Sequence, residues 1–365
     1  MPCRREELSY MKIAAALSGG VDSSVAAYLL KRDGFDLCGM TFRMLDKDGF
    51  LNGGDTPCVT DEDVASARDT AEKLGIPHYL FNYGENFKRD VVDNFVSTYL
   101  AGGTPNPCIE CNKCVKFGSL LAHAEELGYT HIATGHYARV EYDGGSGRYL
   151  LKRAADLIKD QTYVLYTLTQ ERLSKIILPL GAYTKDEIRE LARENGFKSA
   201  DKPESQDICF VPDGDYAAFI ERYTGKPDVQ GDFVDCDGNI LGTHKGITHY
   251  TVGQGKHLGI AIGRKAFVCD IDPVSRRITL GDNDMLMKSS LDAADVNIIA
   301  ADSLPDGARV EAKIRYAAKP APARVWQTGD NSVHVEFDTP QRAITRGQSV
   351  VMYDGDTVIG GGKII

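Results

Sequence analysis

At 365 residues the chain is longer than one hydrophobic core usually organises, so two or three domains are expected. Its composition, 42% hydrophobic and 26% charged, is that of an ordinary water-soluble protein, and no apolar run approaches the roughly 20 residues that a membrane span requires. A net charge of −10 argues against loose, sequence-independent nucleic-acid binding, which runs on neutralising phosphates; alone it favours a small-molecule partner, without excluding RNA recognition by a local basic surface.

The first ten residues are polar and mixed in charge and do not read as a signal peptide; they read as a loose extension or as an upstream start-codon artefact. Nine cysteines, an odd number in a long chain, argue against a secreted disulfide framework and for a reducing, cytoplasmic setting. In that setting clustered cysteines point to catalysis or metal binding.

In chain order, residues 12–17 form a short apolar run expected as a strand, and 21–32 has helical spacing and stops at Gly34. A second strand is expected over 36–42. A helix follows over 61–74, with Asp61 as its N-cap and Gly75 just past its end. The spacing predicts a third strand over 78–82, helices over 86–100 and 111–127, and a strand over 131–134. Strands alternating with helices imply a doubly wound parallel sheet covered on both faces, with ligands beyond the carboxyl ends of its strands. After about residue 212 the pattern changes to short strands and Gly- and Asn-rich turns: 240–241, 266–270, 277–280, 310–316, 333–337 and 349–353. The expected division is therefore an α/β domain over 1–212 followed by two smaller, mainly β domains over 213–285 and 286–365.

The first strand runs straight into Ser18-Gly19-Gly20-Val21-Asp22-Ser23, which opens a helix. Small residues let backbone approach a phosphate, and a helix start offers free N–H groups and the positive end of its dipole. Ser18 and Ser23 add hydroxyls, and Asp22 is a candidate oxygen ligand for nucleotide-bound Mg²⁺. No lysine follows the glycines, so this is not a Walker loop; the glycines are adjacent, so it is not the dinucleotide fingerprint. The hexapeptide resembles the signature of PP-loop ATP pyrophosphatases, which split ATP between the α and β phosphates and use AMP to activate a carbonyl oxygen.

A second motif is Thr104-Pro105-Asn106-Pro107-Cys108-Ile109-Glu110-Cys111-Asn112, continuing to Lys116-Phe117; a third is Ser205-Gln206-Asp207-Ile208-Cys209-Phe210. The prolines rigidify the approach to a helix start, where a thiolate is expected to be stabilised and its pKa lowered. Together with Thr134-Gly135-His136-Tyr137, Lys159-Asp160-Gln161-Thr162-Tyr163, Tyr250-Thr251-Val252-Gly253-Gln254, Arg315-Tyr316 and Tyr353-Asp354-Gly355-Asp356, these motifs resemble the tRNA-specific 2-thiouridylases over nearly the whole chain from Met11.

The resemblance implies an ATP-dependent sulfurtransferase that adenylates the C2 oxygen of the wobble uridine, position 34, of tRNA. It implies that Cys209 carries sulfur as a persulfide and that Cys111 is the nucleophile that resolves it, leaving hydrosulfide or a Cys111–Cys209 disulfide. ATP is then contacted by Ala16, Leu17, Ser18, Gly19, Gly20, Val21, Asp22, Ser23, Phe42 and Gly135. The tRNA is contacted by Asn106, Pro107, Cys108, Lys159, Asp160, Gln161, Arg315 and Tyr316. The implied partners are tRNAs for Lys, Glu and Gln and a cysteine desulfurase or sulfur-relay protein.

Many family members have Asp where this chain has Cys108, an acid–base position. Cys108, Cys111 and Cys209 are thereby an alternative set of three ligands for a [4Fe–4S] cluster with one iron open to sulfide. The persulfide and cluster routes both stay open on sequence, with a structural zinc as a weaker third. For Cys114 a small buried hydrophobe is the plainer reading, and His136 takes no role beyond structure. Lys159 and Arg315 read equally as solvated charge, and Lys152, Arg153, Arg264, Lys265, Lys313, Lys319 and Arg324 are candidates for a local basic surface. At Gly255 and His257 the usual Arg-Lys-Gly of the family is absent. Two rivals remain: a PP-loop ligase or amidotransferase acting on a small molecule, which needs none of the three cysteines, and a non-catalytic iron–sulfur RNA-binding protein, which needs no phosphate loop.

Overall fold

The computed structural model describes residues 11–43, 59–200, 202 and 208–365. The opening ten residues, Cys3, Cys58 and the Ser205-Gln206-Asp207 part of the third motif lie outside that set.

The first layer is a five-stranded, all-parallel sheet. Its strands are β1 (Lys12–Ala16), β2 (Asp36–Arg43), β3 (His78–Asn82), β4 (His131–Ala133) and, after a hairpin described below, β7 (Ile176–Ile177); the order is β3-β2-β1-β4-β7. Strand β1 lies in the middle, paired with β2 and β4. Ile13 and Ala14 are fully buried, as a strand covered on both faces requires. Helices α1 (Val21–Arg32) and α2 (Asp61–Leu74) and two longer helical runs, α3 (84–100) and α4 (107–126), cover the faces, with α5 (Lys185–Glu194) packed on α1.

Two helix starts differ from expectation. The N-cap of α2 is Thr60 rather than Asp61: its hydroxyl accepts from the Asp63 N–H, and the Asp63 carboxylate accepts from the Thr60 N–H. The run α4 begins at Pro107 rather than Cys111, because Asn106 caps it and proline, lacking an N–H, suits the first helical position. Gly75, left-handed at φ 62°, ends α2 as expected.

The hairpin β5 (Ala138–Asp143) and β6 (Arg148–Arg153) leaves the parallel sheet and joins the last domain. These two strands are not among those expected from the sequence. After α6 (Tyr216–Thr224) comes a four-stranded sheet with order β10-β11-β8-β9, made of β8 (Gly231–Val234), β9 (Ile240–His244), β10 (Phe267–Asp272) and β11 (Arg277–Gly281). Phe233, Val268, Ile278 and Leu280 fill its own small core.

The last sheet runs β12 (Met287–Ile298), β15 (Ser332–Arg342), β14 (Ala321–Gly329), β13 (Ala308–Lys313), β16 (Ser349–Asp354) and β17 (Thr357–Ile364), and β17 pairs back onto β12, closing a six-stranded barrel. Strand β13 stops at Lys313, short of the expected 316, so Arg315 and Tyr316 stand on the loop beyond it.

All three units meet at the segment 102–107 that leads into α4. A Cβ on Gly102 would lie 3.0 Å from the Ile271 carbonyl oxygen of the middle domain. The Thr104 N–H donates to Arg346 O (2.8 Å), and Gln348 Nε2 donates to Thr104 O (2.9 Å), both from the barrel. Behind it the Tyr163 hydroxyl donates to Ser349 O (2.8 Å) and accepts from the Ser349 N–H (3.2 Å), with Tyr163 fully buried. Tyr163→Phe leaves these backbone groups without that partner. It should lower unfolding stability by about 1–3 kcal/mol, read as a shift in denaturant midpoint.

Candidate functional site: a phosphate loop beside two thiols

Strand β1 ends where the chain must turn sharply into α1, and Gly19 takes the turn at φ 77°. A Cβ there would lie 2.3 Å from the Asp63 carbonyl oxygen, so the loop is seated on the start of α2; the Ser66 hydroxyl donates to Gly19 O at 2.9 Å. The Ser23 hydroxyl donates to Gly20 O (3.0 Å) and accepts from the Ser18 N–H (3.1 Å), with the Ser18 hydroxyl 3.1 Å away. Thr41 Oγ1 on β2 donates to Leu17 O (2.8 Å). Helices α2 and α5 each start with a reciprocal capping box, whereas α1 starts on Gly20 with no side-chain cap. Its first turn therefore presents backbone N–H groups and the positive dipole end to whatever occupies the loop.

Beyond β4, Gly135 closes the other side: a Cβ on it would lie 2.8 Å from Asp22 C and Ser23 N. The Asp22 carboxylate accepts from Tyr137 Oη (2.7 Å) and, at both oxygens, from Lys185 Nζ (2.8 Å each). Nothing local in the sequence marks Tyr137 or Lys185 as a partner of Asp22. Lys185 lies 163 residues from Asp22, and only the contact of α1 with α5 brings them together. One carboxylate beside a phosphate loop matches the habit of Mg²⁺, which takes one or two protein oxygens and the rest from phosphate and water. Phe42 is buried at the end of β2 with its ring 6.0 Å from that of Tyr83; its side chain belongs to the core.

Cys108 and Cys111 lie on α4. Asn106 Oδ1 accepts from the Cys108 N–H (3.2 Å), and Cys111 to Ser119 adopt a π-helix within α4. Phe117 of that π-helix contacts His136 at 5.8 Å between ring centroids. Contacts thus run from the thiol-bearing helix through His136 to Gly135 and the phosphate loop. His136 is buried, its Nδ1 lies 2.7 Å from Thr134 Oγ1, and burial drives its pKa well below the usual value, so it is a neutral structural ring.

The expected lowering of the thiol pKa is not observed. Burial pushes Cys111 up to about 11 and raises Cys108 as well; the Lys116 charge opposes both shifts and is outweighed. The helix starts at Pro107, so Cys111 lies a full turn in, where the terminal dipole has faded and desolvation dominates. Cys108 is exposed as a residue even though its sulfur is crowded.

Cys108 and Cys111 are free thiols, while Cys209 is disulfide-bonded to none of the six free cysteines. Among the described residues no three Cys, His, Asp or Glu side chains are placed to hold a metal. With Cys209 in a disulfide and no such group among the described residues, this arrangement does not fit a [4Fe–4S] cluster held by Cys108, Cys111 and Cys209. Cys209 is exposed, and Phe210 after it is anchored against Phe87, Phe95 and Phe219.

The segment 159–161 is not plain solvated charge. Asp160 is 8% exposed; its carboxylate accepts from the Ala154 N–H (3.0 Å) and Thr162 Oγ1 (2.6 Å), and burial raises its pKa. Gln161 Oε1 accepts from the Tyr137 N–H (2.9 Å), tying this segment to the loop that holds Asp22. Arg315 donates to Arg342 O (3.1 Å), and Tyr316 is 43% exposed beside Tyr163. The Lys313 ammonium lies 5.6 and 5.3 Å from the Tyr163 and Tyr316 ring centroids. Several basic candidates are engaged: Lys152 pairs with Glu141 (3.0 Å), Arg264 with Asp282 (2.6 Å), and Arg153 stacks over Tyr353 (4.2 Å).

A parallel α/β sheet with an uncapped phosphate loop at its carboxyl edge, followed by two β domains, defines a PP-loop nucleotide enzyme architecture. Three family models match: a tRNA methyl transferase HUP domain over residues 11–213, a tRNA methyl transferase PRC-barrel domain over 217–282 and an aminomethyltransferase β-barrel domain over 288–364. The chain is 51% identical over 355 residues to the tRNA-specific 2-thiouridylase MnmA of Clostridioides difficile (strain 630), covering 97% of this chain and 98% of that one. It is 50% identical over 358 residues to the protein of that name from Lachnoclostridium phytofermentans, covering 97% and 99%. Among solved structures, the U34-tRNA thiolase NcsA from Methanococcus maripaludis with its [4Fe-4S] cluster matches at TM-score 0.35 and 18% identity, over 60% of this chain and 72% of that one. The chain belongs to the tRNA-specific 2-thiouridylase family.

Two outcomes follow from the geometry. Gly19→Ala forces a side chain into a left-handed position against the Asp63 carbonyl and should weaken ATP binding by about tenfold or more, measured by calorimetry. Cys111 with a thiol pKa near 11 is mostly protonated at neutral pH. Its alkylation by iodoacetamide should climb about tenfold per pH unit from 7 to 10, because the thiolate is the reactive form. A plateau near pH 8, seen by mass spectrometry of the labelled peptide, would contradict that environment.

Proposed function

We propose that this protein is a tRNA-uridine 2-sulfurtransferase of the cytoplasm, transferring sulfur to C2 of the wobble uridine of tRNAs for Lys, Glu and Gln. The observation that carries the reading is the contact path from the Cys111 helix through Phe117 and His136 to Gly135 and the first turn of α1. It links the helix that carries Cys108 and Cys111 to an anion site.

A uracil C2 carbonyl is a poor electrophile. Its oxygen attacks the α-phosphate of ATP, pyrophosphate leaves, and the oxygen becomes part of an AMP leaving group. The loop amides, Ser18 and Ser23 hold the phosphates. Asp22 supplies the carboxylate for Mg²⁺, whose role is to offset phosphate charge. Cys209, exposed and tethered by Phe210, receives sulfur as a persulfide from a desulfurase or relay protein. The Cys111 thiolate then attacks the Cys209 sulfur, forming a Cys111–Cys209 disulfide and releasing hydrosulfide. Hydrosulfide adds at C2, and AMP leaves with the former oxygen. An external thiol reductant returns the disulfide to two thiols. Cys209 is disulfide-bonded in this structure, so an external thiol first has to reduce that bond; only then can the free Cys209 thiol take up sulfur and move towards Cys111. Cys108 occupies the acid–base position.

In this reading residues 1–212 carry the chemistry, while 213–285 and 286–365 hold the tRNA, with Tyr316, Arg315 and the 159–161 segment at the junction. An exposed aromatic next to cations suits a base taken out of its stack.

The test is thiolation of tRNA in vitro with nucleotide products resolved by chromatography. AMP and pyrophosphate are expected; ADP as the main product would sink the reading. Cys111→Ala and Cys209→Ala should each abolish thiolation, and added salt should suppress it steeply, since RNA binding releases counterions. Cys108→Asp should stay active in iron-free protein; loss of activity together with loss of iron from anaerobically purified wild type would favour a cluster instead.

A further inference from the structure

Cys111 is flanked by a thiol on either side, Cys108 before it and Cys114 after it at equal spacing. The helix treats the two neighbours differently, because its winding changes at Cys111: residues 107–110 are α-helical and 111–119 are π-helical. On the α side Cys108 and Cys111 share a face, with about 5–6 Å expected between their Cβ atoms. On the π side the hydrogen bonds span five residues and the turn is wider, which carries Cys114 off that face. The surroundings agree. Glu110, Asp90, Lys113 and Arg172 lie within electrostatic reach of Cys114, whereas Cys108 lies within reach of Tyr316 at the junction with the barrel. Cys108 is exposed and Cys111 buried, so the pair is open to solvent at one end. A carboxylate at position 108 could move a proton, but only a thiol there can accept a disulfide.

We propose that Cys108 is the thiol that sets Cys209 free again after sulfur has been handed on. The inference rests on the persulfide reading above, in which hydrosulfide release leaves a Cys111–Cys209 disulfide and the sulfur carrier blocked. The Cys108 thiolate attacks the Cys111 sulfur, the Cys111–Cys209 bond breaks, and Cys209 leaves as a thiolate that takes a proton from water. The product is a Cys108–Cys111 disulfide; no electrons enter or leave, and the two-electron oxidation moves onto the Cys-x-x-Cys pair. A dithiol reductant from solution then attacks Cys108, the exposed member, and returns both thiols. The leaving groups set the direction. Cys209 is exposed and departs into water, whereas Cys111 would have to depart as a thiolate into a buried site. Closing the new bond brings the two Cβ atoms to about 3.5–4.5 Å, a small tightening of the first helical turn. The gain is in turnover: Cys209 can be recharged while the pair on α4 awaits its reductant.

The experiment gives the reduced full chain an equimolar amount of inorganic polysulfide, without tRNA or ATP, then quenches with acid and alkylates. Mass spectrometry of the wild-type peptides should find Cys108 joined to Cys111 and Cys209 free. Cys108→Ser should stop at Cys111–Cys209, and Cys209→Ala should form no Cys108–Cys111 bond. Turnover is the second readout. Cys108→Asp should lose several-fold in rate in the rounds of tRNA thiolation after the first at limiting dithiothreitol, and regain it as dithiothreitol is raised. Loss of a proton-transfer role alone would slow the first round and leave the reductant dependence as it was. Wild type that accumulates Cys111–Cys209, or a Cys108–Cys111 bond that forms without Cys209, overturns the proposal. So does a Cys108→Asp whose later rounds keep pace at limiting reductant, and that arm decides alone if Cys108→Ser fails to fold. Wild type that forms neither disulfide and releases no hydrosulfide would instead sink the persulfide reading itself.

Discussion

The site hangs on one backbone-to-backbone approach at the carboxyl edge of the parallel sheet, where Gly135 after β4 lies against Asp22 and Ser23 in the first turn of α1. A side chain there would wedge the β4 loop off the helix. With hydrogen alone, Tyr137 reaches the Asp22 carboxylate, and Gln161 fastens Tyr137 from behind. The phosphate loop, the thiol-bearing helix and the segment beside the barrel are thereby connected through direct contacts. Chemistry that must hold an activated base and a sulfur donor within reach of each other depends on such positioning.

How much of this was legible in the sequence depended on distance along the chain. The parallel sheet, α1 with its phosphate loop and α2 with Gly75 at its end were readable, because hydrophobic period and turn chemistry are local. The start of α4 lies earlier than the expected Cys111: the prolines read as the approach to the helix, and only the Asn106 cap shows that Pro107 is its first residue. The hairpin β5–β6 was missed because a strand pair there was not expected to serve a barrel about 150 residues later. At the site, the motifs named the loop and the cysteines. The Lys185–Asp22 pair could not be read, since nothing in a KDEIRELARE segment distinguishes a helix that touches a phosphate loop from any other amphipathic helix. Thr184 and Glu187 mark that helix start, and from there the signal ends.

The thiols show the same limit. Sequence context placed them near a helix start and suggested activation, but their titration is set by burial, which only the packed molecule specifies. Under the proposed mechanism, a Cys111 thiol held protonated by burial needs its surroundings changed before it can attack. The π-helix over Cys111–Ser119 belongs to the same account: it holds Lys116 near both thiols, where its charge opposes the burial effect without overcoming it.

The β5–β6 hairpin has a consequence for how this protein could have been assembled. Strand β6 belongs to the first domain in sequence and meets β17 of the barrel through Lys152 and Thr357, while Arg139 bonds Asp356 and the Arg153 N–H donates to Asp356 O. The barrel is thus not a passenger on a linker. Cut away, it would bare the outer edge of a two-stranded ribbon and the Tyr163 face beneath it, an open template for pairing with other chains. A gene fragment ending near residue 212 would therefore make an aggregation-prone product, and any ancestor that lacked the barrel needed another cover for the same edge.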